Sequence, residues 1–146
     1  MNLNPSAYGL ERFVEAQVRV YDSVLDELSL GHKTTHWMWF IFPQLKALGR
    51  SSMAKHFGIE SMDEALAYLQ HPILGSRLVE CTKLLLKQPT EDVFEIFGSP
   101  DNLKFRSCMT LFSQVAPHEP VFGQALDRFF HGKPDVATLE LLQSHR

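Results

Sequence analysis

Polar side chains that can move a proton or bind an anion flank one aromatic run of the sequence. Residues 32–45 read HKTTHWMWFIFPQL and include both tryptophans of the chain. Lys33 can attract an anion, and His36 can exchange a proton near neutral pH, where an imidazole titrates. Indole faces stack on planar rings, and Gln44 can orient such a ring through hydrogen bonds. The segment therefore predicts a pocket for a small planar anionic ligand, with His36 as the acid–base residue of any reaction.

A second interpretation assigns no ligand to these aromatic residues. Tryptophans in small helical domains commonly lie in the core, where each donates its indole N–H to a protein acceptor. The protein would then be a non-catalytic interaction module in which another helical groove binds a partner. The sequence does not decide between these functions, or whether the protein is an enzyme. The first interpretation predicts that Trp37 or Trp39 lines a cavity beside Lys33 or His36.

A polar stripe further along the chain is a candidate for another wall of this pocket. Asp101, Lys104, Ser107 and Thr110 recur at every third residue of a predicted helix, opposite an apolar stripe that contains Phe105. One interpretation is a solvated helix face, and the other is a face that closes over the tryptophans. The second gives the full set of predicted ligand-binding residues, which is Lys33, Trp37, Trp39, Gln44, Asp101 and Lys104.

Metal and nucleophile chemistry are both disfavoured by the spacing of the candidate residues. His32 and His36 stand four residues apart, but Lys33 occupies the place of the glutamate in an HExxH zinc motif, and no third ligand is suggested. Cys81 and Cys108 lie inside helical patterns and outside any nucleophile motif, which indicates buried, reduced thiols. We therefore predict no metal site and no cofactor.

Composition and charge exclude several other classes of protein. Of the 146 residues, 45% are apolar and 21% charged, as in a soluble globular domain. The formal net charge is −3 and no basic stripe is present, so nucleic-acid binding is not expected. The longest apolar run, residues 37–42, is too short to cross a membrane. The absence of a secretory signal makes the cytoplasm the expected location, and the oligomeric state stays open.

Apolar residues recur with helical spacing along most of the chain, and capping residues mark several helix ends. Ser61 followed by Glu64 has the form of a capping box, and Asp135 is placed to cap a last helix. Gly31 is placed to end a single first helix, whose buried stripe is Phe13, Gln17, Val20, Val24 and Leu28.

The aromatic run itself is apolar on every side, so its period does not distinguish a strand from a helix. The surrounding helical segments favour a short central helix, and Pro43 predicts that this helix ends near Phe42. No segment alternates with a period of two. The sequence as a whole predicts one all-α domain over residues 1–146, compact, with about eight short helices packed around the aromatic run.

The aromatic run also resembles the signature of a known family. The stretch G-x-K-x-x-HWMWFIFPQL, from Gly31 to Leu45, is similar to that of the family catalogued as domain of unknown function 1810. Further similar stretches, in the same order over about residues 10–142, are RFVEAQ, EALAYLQHPILGSRL, IFGSPDNLKFRSCMTLF and FGQALDRFFHGKPDVATLELL. Small departures are Ala47, Phe57 and Cys108, where glycine, tyrosine and serine are common. The resemblance implies a compact all-helical domain, found mostly in bacteria and fungi, with no established activity.

Overall fold

Short α-helices make up most of the chain. The computed structural model describes residues 8–144, and within them it contains ten α-helices, a 3₁₀ turn at Lys46–Leu48 and no strand. The helices are α1 (Glu11–Val18), α2 (Tyr21–Leu30), α3 (Met38–Ile41), α4 (Ser52–Phe57), α5 (Met62–Gln70), α6 (Leu74–Leu86), α7 (Phe94–Phe97), α8 (Asp101–Val115), α9 (Pro120–Phe130) and α10 (Val136–Ser144). The predicted all-α fold is confirmed, with ten helices in these residues where about eight were expected.

The first apolar stripe forms two helices rather than the one that its spacing predicts. α1 ends at Val18 and α2 begins at Tyr21, so Arg19 and Val20 lie between them. The two halves of the stripe pack on different partners, because α1 contacts α3 whereas α2 contacts α6. One straight helix could not pack against both α3 and α6. α2 then ends at Gly31, as predicted, in a left-handed conformation with a φ of 72° that glycine adopts without strain.

The predicted capping residues occupy their expected places. At the start of α5, Ser61 Oγ accepts a hydrogen bond from the Glu64 N–H at 3.2 Å. Glu64 Oε1 in turn accepts one from the N–H of Glu60 at 2.9 Å. At the start of α10, Asp135 Oδ2 accepts a hydrogen bond from the Thr138 N–H at 3.0 Å. The Ser61 and Asp135 contacts satisfy N–H groups in the first turns of α5 and α10, and the Glu64 contact satisfies the N–H of the residue before the Ser61 cap.

Replacing Ser61 with alanine removes the acceptor for the Glu64 N–H. We expect Ser61→Ala to lower the free energy of unfolding by about 1 kcal/mol, measured by chemical denaturation. Ser76→Ala is the matched control, because the Ser76 hydroxyl is exposed and donates only to the Pro72 carbonyl near the start of α6. Equal losses for the two variants would show that the Ser61 cap does not stabilise α5.

The aromatic run lies in the core, and its helix is one turn long. α3 spans Met38–Ile41, and the next residue, Phe42, precedes Pro43, as predicted. The centroids of the Phe42 and Phe105 rings lie 5.1 Å apart in an edge-to-face contact that joins the run to α8. Trp39 is half-buried, whereas the other residues of WMWFIF are buried. Trp39 is therefore the member of the run that can meet a ligand.

Two long helices hold the other helices around this run. α8 contacts α5, α7, α9 and α10, and α6 contacts α2, α5 and α9. The buried apolar side chains form one connected cluster. None of the helices within residues 8–144 combines the length and the apolar character that crossing a bilayer requires.

Candidate ligand-binding site

Trp37 belongs to the core, where a buried carboxylate binds its indole. Trp37 is 1% exposed, and its Nε1 donates a hydrogen bond to Glu27 Oε1 at 3.0 Å. The same oxygen accepts hydrogen bonds from the N–H groups of Thr34 and Thr35 at 2.7 and 2.9 Å. Oε2 accepts one from the Thr35 hydroxyl at 2.6 Å. Glu27 thus fixes the loop after α2 against the indole, and the enclosed Trp37 lines no cleft described below.

The Glu27 carboxyl is a structural acceptor rather than a proton donor. Burial would raise its pKa, because a charge is less stable away from water. The hydrogen bonds from Thr35, Thr34 and Trp37 outweigh burial and lower the pKa to about 2. The carboxylate is therefore ionised at neutral pH and keeps all four of its donors.

Lys33 is held by an ion pair beside the same indole. Its Nζ lies 2.9 Å from Asp101 Oδ2 and 5.1 Å from the centroid of the Trp37 ring. The Lys33 side chain is only 8% exposed. The pair joins the loop after α2 to the first turn of α8. Asp101 therefore lies near the aromatic run, and its carboxylate forms an ion pair with Lys33.

The polar stripe of α8 is not a solvated face. Lys104 Nζ lies 5.0 Å from the centroid of the Trp39 ring and 3.8 Å from Asp101 Oδ1. Ser107 and Thr110 are buried, and each hydroxyl donates to the carbonyl four residues earlier, at 3.2 and 2.8 Å. The solvated alternative is wrong for these two residues, because their hydroxyls are satisfied within the helix and do not need water.

A narrow cleft of about 10 Å³, room for about one water molecule, opens beside Trp39, between the end of α3, α4 and α8. Its polar side chains are those of Gln44 and Lys104. Its apolar walls include Met38, Phe42, Ala54 and Phe57. Trp39 Nε1 is shielded from solvent and has no hydrogen-bond partner within residues 8–144. Because a buried N–H without a partner costs about 1–3 kcal/mol, an acceptor that reached this edge of the indole would be bound favourably.

A wider groove of about 390 Å³ continues from the cleft, and Gln44 and Lys104 line both. It runs between the segment before α4, α8 and the start of α10. Arg50 and Arg106 line this groove together with Lys104, and Asp135 is the carboxylate in its wall. The groove therefore has a local excess of positive charge in a protein whose net charge is −3.

The histidines of the aromatic segment lie elsewhere. His32 and His36 are exposed, and neither belongs to the residues that line the cleft or the groove. Among residues 8–144, no group of three or more His, Cys, Asp or Glu side chains is placed to hold a metal ion. A catalytic role for His36 stays a prediction.

Both cysteines are buried, unpaired thiols. Burial raises the pKa of Cys81 to about 12 and that of Cys108 well above its usual value. Since the thiolate is the nucleophilic form, neither residue is an activated nucleophile at neutral pH.

One protein family matches the sequence over almost its whole length. The model of the family described as "Protein of unknown function (DUF1810)" matches residues 7–142. The chain belongs to the DUF1810 family. A solved structure similar to this DUF1810 chain is that of the conserved hypothetical protein Rv1873 from Mycobacterium tuberculosis, with a TM-score of 0.92 and 47% sequence identity. The match covers 94% of this chain and 98% of that one. No curated protein matches the chain. These comparisons confirm the resemblance and the fold, and neither description states an activity.

The structure of this DUF1810 chain divides the predicted ligand-binding residues into two groups. Trp39, Gln44 and Lys104 meet at the cleft. Lys33, Trp37 and Asp101 do not line it and form instead a partly buried ion pair beside a buried indole. A small cleft lies beside Trp39, and its polar side chains are those of Gln44 and Lys104, whereas the sequence predicted Lys33 or His36 beside the tryptophan.

Three residues of this region were missed by the sequence analysis. Glu27 stands next to Leu28 of the first apolar stripe, and a glutamate there is typical of a helix surface. Arg50 and Arg106 belong to no motif, and only the folding of the chain brings the segment before α4 and α8 to one groove. The nearest signal in the sequence was the predicted anion-binding role of Lys104, which lies two residues before Arg106 on the same helix.

Proposed function

We propose that this protein binds a small planar anionic molecule at the place where the cleft meets the groove. One observation carries the proposal. Trp39 is the half-buried residue of an otherwise buried run, its N–H has no partner within residues 8–144, and it lies in a cleft beside Gln44 and Lys104. Trp37, in contrast, is buried, and its indole N–H donates a hydrogen bond to Glu27.

The surroundings of Trp39 suit the two parts of such a ligand. The narrow cleft has room for about one water-sized group, such as a polar substituent of the ring, and the groove provides room for the ring and its charged group. Gln44 can donate and accept hydrogen bonds, which orients a heterocycle. Lys104 can move to an anion, because its side chain is 24% exposed and its 3.8 Å contact with Asp101 is long for an ion pair.

Thermal shift and tryptophan fluorescence against a library of metabolites and nucleotides test this proposal. We expect a planar anionic compound to raise the Tm of the wild-type protein. Lys104→Ala is expected to weaken its binding by about tenfold, because one charge-assisted contact is lost. Lys55→Ala is the matched control, since Lys55 is an exposed lysine of α4 that does not line the cleft or the groove.

Two outcomes of this screen would contradict the proposal. If His36→Ala abolished binding while Lys104→Ala did not, the site would lie at the exposed histidine instead of the cleft. If no compound bound the folded protein, the alternative of a non-catalytic protein-interaction module would be favoured. The burial of Trp37 and of four other residues of WMWFIF fits that alternative equally well.

A further inference from the structure

We propose that Arg50 and Arg106 form, together with Lys104, a subsite for a doubly charged oxyanion, so that the ligand is a phosphomonoester of a planar ring. The inference rests on the proposed function, which places the ring at Trp39. It adds the chemical class of the anion and two residues that bind it.

The two arginines line the groove from different elements of the fold. Arg50 belongs to the segment before α4 and is exposed, and its guanidinium has no hydrogen-bond or carboxylate partner among residues 8–144. Arg106 belongs to α8, where its Nε donates to the Lys133 carbonyl at 2.9 Å and its Cζ lies 5.4 Å from the Phe130 ring centroid. These contacts orient the Arg106 guanidinium and use only its Nε. Guanidinium groups bind the oxygens of a phosphoryl group in pairs, which suits both residues to this ligand.

The carboxylates near the groove have partners of their own. Asp135 Oδ2 accepts hydrogen bonds from the N–H and the hydroxyl of Thr138 at 3.0 and 2.6 Å. Asp101 Oδ2 lies 2.9 Å from Lys33 Nζ. Neither carboxylate forms an ion pair with Arg50 or Arg106 in the described part of the chain. The positive charge of the two arginines is therefore available to a ligand.

Three cationic side chains line the groove, and this number favours a dianion over a monoanion. A carboxylate ligand has one negative charge and two acceptor oxygens, so it can pair with only part of this set. A phosphoryl group carries close to two charges at neutral pH and three acceptor oxygens, so it can bind Lys104 and still engage the arginines. This difference selects a phosphate ester rather than a carboxylic acid.

Calorimetric titration of the full chain with three probes tests the inference. The probes are phenyl phosphate, benzoate, which has the same ring and one negative charge, and inorganic phosphate, which has no ring. At equal ionic strength, we expect phenyl phosphate to bind at least about tenfold more tightly than either of the others, since each of them lacks one group of contacts.

Substitutions of Arg50 and Arg106 test whether these two residues bind the phosphoryl group of phenyl phosphate. Arg50→Ala and Arg106→Gln are each expected to weaken phenyl phosphate binding by about tenfold and to leave benzoate binding nearly unchanged. Lys55→Ala should change neither affinity. Arg106 also contacts Lys133, so the Tm of Arg106→Gln is measured as a check of folding. Arg50 has no such contact within residues 8–144. Weaker phenyl phosphate binding by Arg50→Ala would therefore report the loss of a ligand contact and not a loss of folding.

The negative results of these titrations differ in which proposal they overturn. Equal affinities for phenyl phosphate and benzoate, or an Arg50→Ala variant that binds phenyl phosphate normally, would overturn the dianion subsite and leave the proposed function standing. Inorganic phosphate bound as tightly as phenyl phosphate would overturn the assignment of a ring-bearing ester. Failure of these probes and of every planar anion in the library would remove both proposals.

Discussion

Glu27→Ala is expected to lower the free energy of unfolding by about 3 kcal/mol, because four hydrogen-bond donors lose their acceptor at once and one of them is the buried indole of Trp37. Glu27 accepts hydrogen bonds from the N–H groups of Thr34 and Thr35, the Thr35 hydroxyl and the indole of Trp37. Alanine cannot replace any of these contacts, and although water can reach the exposed threonines, the Trp37 indole is enclosed. Urea denaturation near neutral pH measures the loss.

Glu27→Gln is the matched variant, because it keeps the shape of the side chain and removes its charge. Three of the four hydrogen bonds converge on Oε1, which a glutamine carbonyl can replace. The Thr35 hydroxyl can rotate to accept a hydrogen bond from the new amide. We therefore expect Glu27→Gln to lose less than half as much stability as Glu27→Ala. Equal losses would show that the negative charge, rather than the set of acceptors, stabilises this loop.

The two variants also differ from the wild-type protein in their response to acid. The pKa of Glu27 is about 2 in the folded protein, below its ordinary value of 4.5. A lowered carboxyl pKa stabilises the folded state above the ordinary pKa, and this stabilisation is lost as the pH falls from about 4.5 towards 2. The stability difference between the wild-type protein and Glu27→Gln should therefore shrink across this interval. A difference that stays constant between pH 6 and pH 2.5 would contradict the lowered pKa.

Arg12→Ala is expected to lower the free energy of unfolding by about 3–5 kcal/mol, the usual cost of leaving one buried partner of an ion pair alone. Arg12 Nη2 lies 2.7 Å from Oε2 of Glu64, whose side chain is 2% exposed. The guanidinium also joins two segments of the chain by donating to their backbone carbonyls. One segment provides the carbonyls of Tyr8 and Gly9, and the other those of His56 and Gly58. Arg12 thus ties α1 to the turn that precedes α5.

Arg12→Lys separates the charge of this residue from its geometry. Lysine can still neutralise Glu64, but a single ammonium cannot reach all of the carbonyls that the guanidinium binds. We expect the lysine variant to lose at least half as much stability as the alanine variant. Arg19→Ala is the control, because Arg19 is an exposed arginine between α1 and α2. A loss for Arg12→Ala as small as that for Arg19→Ala would contradict a structural role for Arg12.

The fold could be predicted from the sequence where it depends on neighbouring residues. Helical spacing and the caps at Ser61 and Asp135 act within one or two turns, so their signals are complete in short stretches. The break between Val18 and Tyr21 depends instead on α3 and α6, which come later in the chain. The stripe alone could not show that its two halves pack on different partners.

The candidate site was predictable only in part, for the same reason. Trp37 and Trp39 stand two residues apart and look equivalent in the sequence, but Glu27 satisfies one indole and the other lies in a cleft. No local pattern shows which tryptophan a residue ten positions earlier will reach. Arg50 and Arg106 stand 56 positions apart in the sequence and line one groove of the structure, so their proximity to a common space appears only in the folded chain.

The two indole N–H signals of the chain provide the most direct test of the binding site. A ¹H–¹⁵N correlation spectrum contains one such signal for Trp37 and one for Trp39, and Trp39→Phe assigns them. We expect millimolar phenyl phosphate to shift the Trp39 signal progressively and to leave the Trp37 signal in place, because Trp37 is enclosed and bound to Glu27. A shift of Trp37 alone, or a titration that moves neither signal, would contradict a ligand site at the Trp39 cleft.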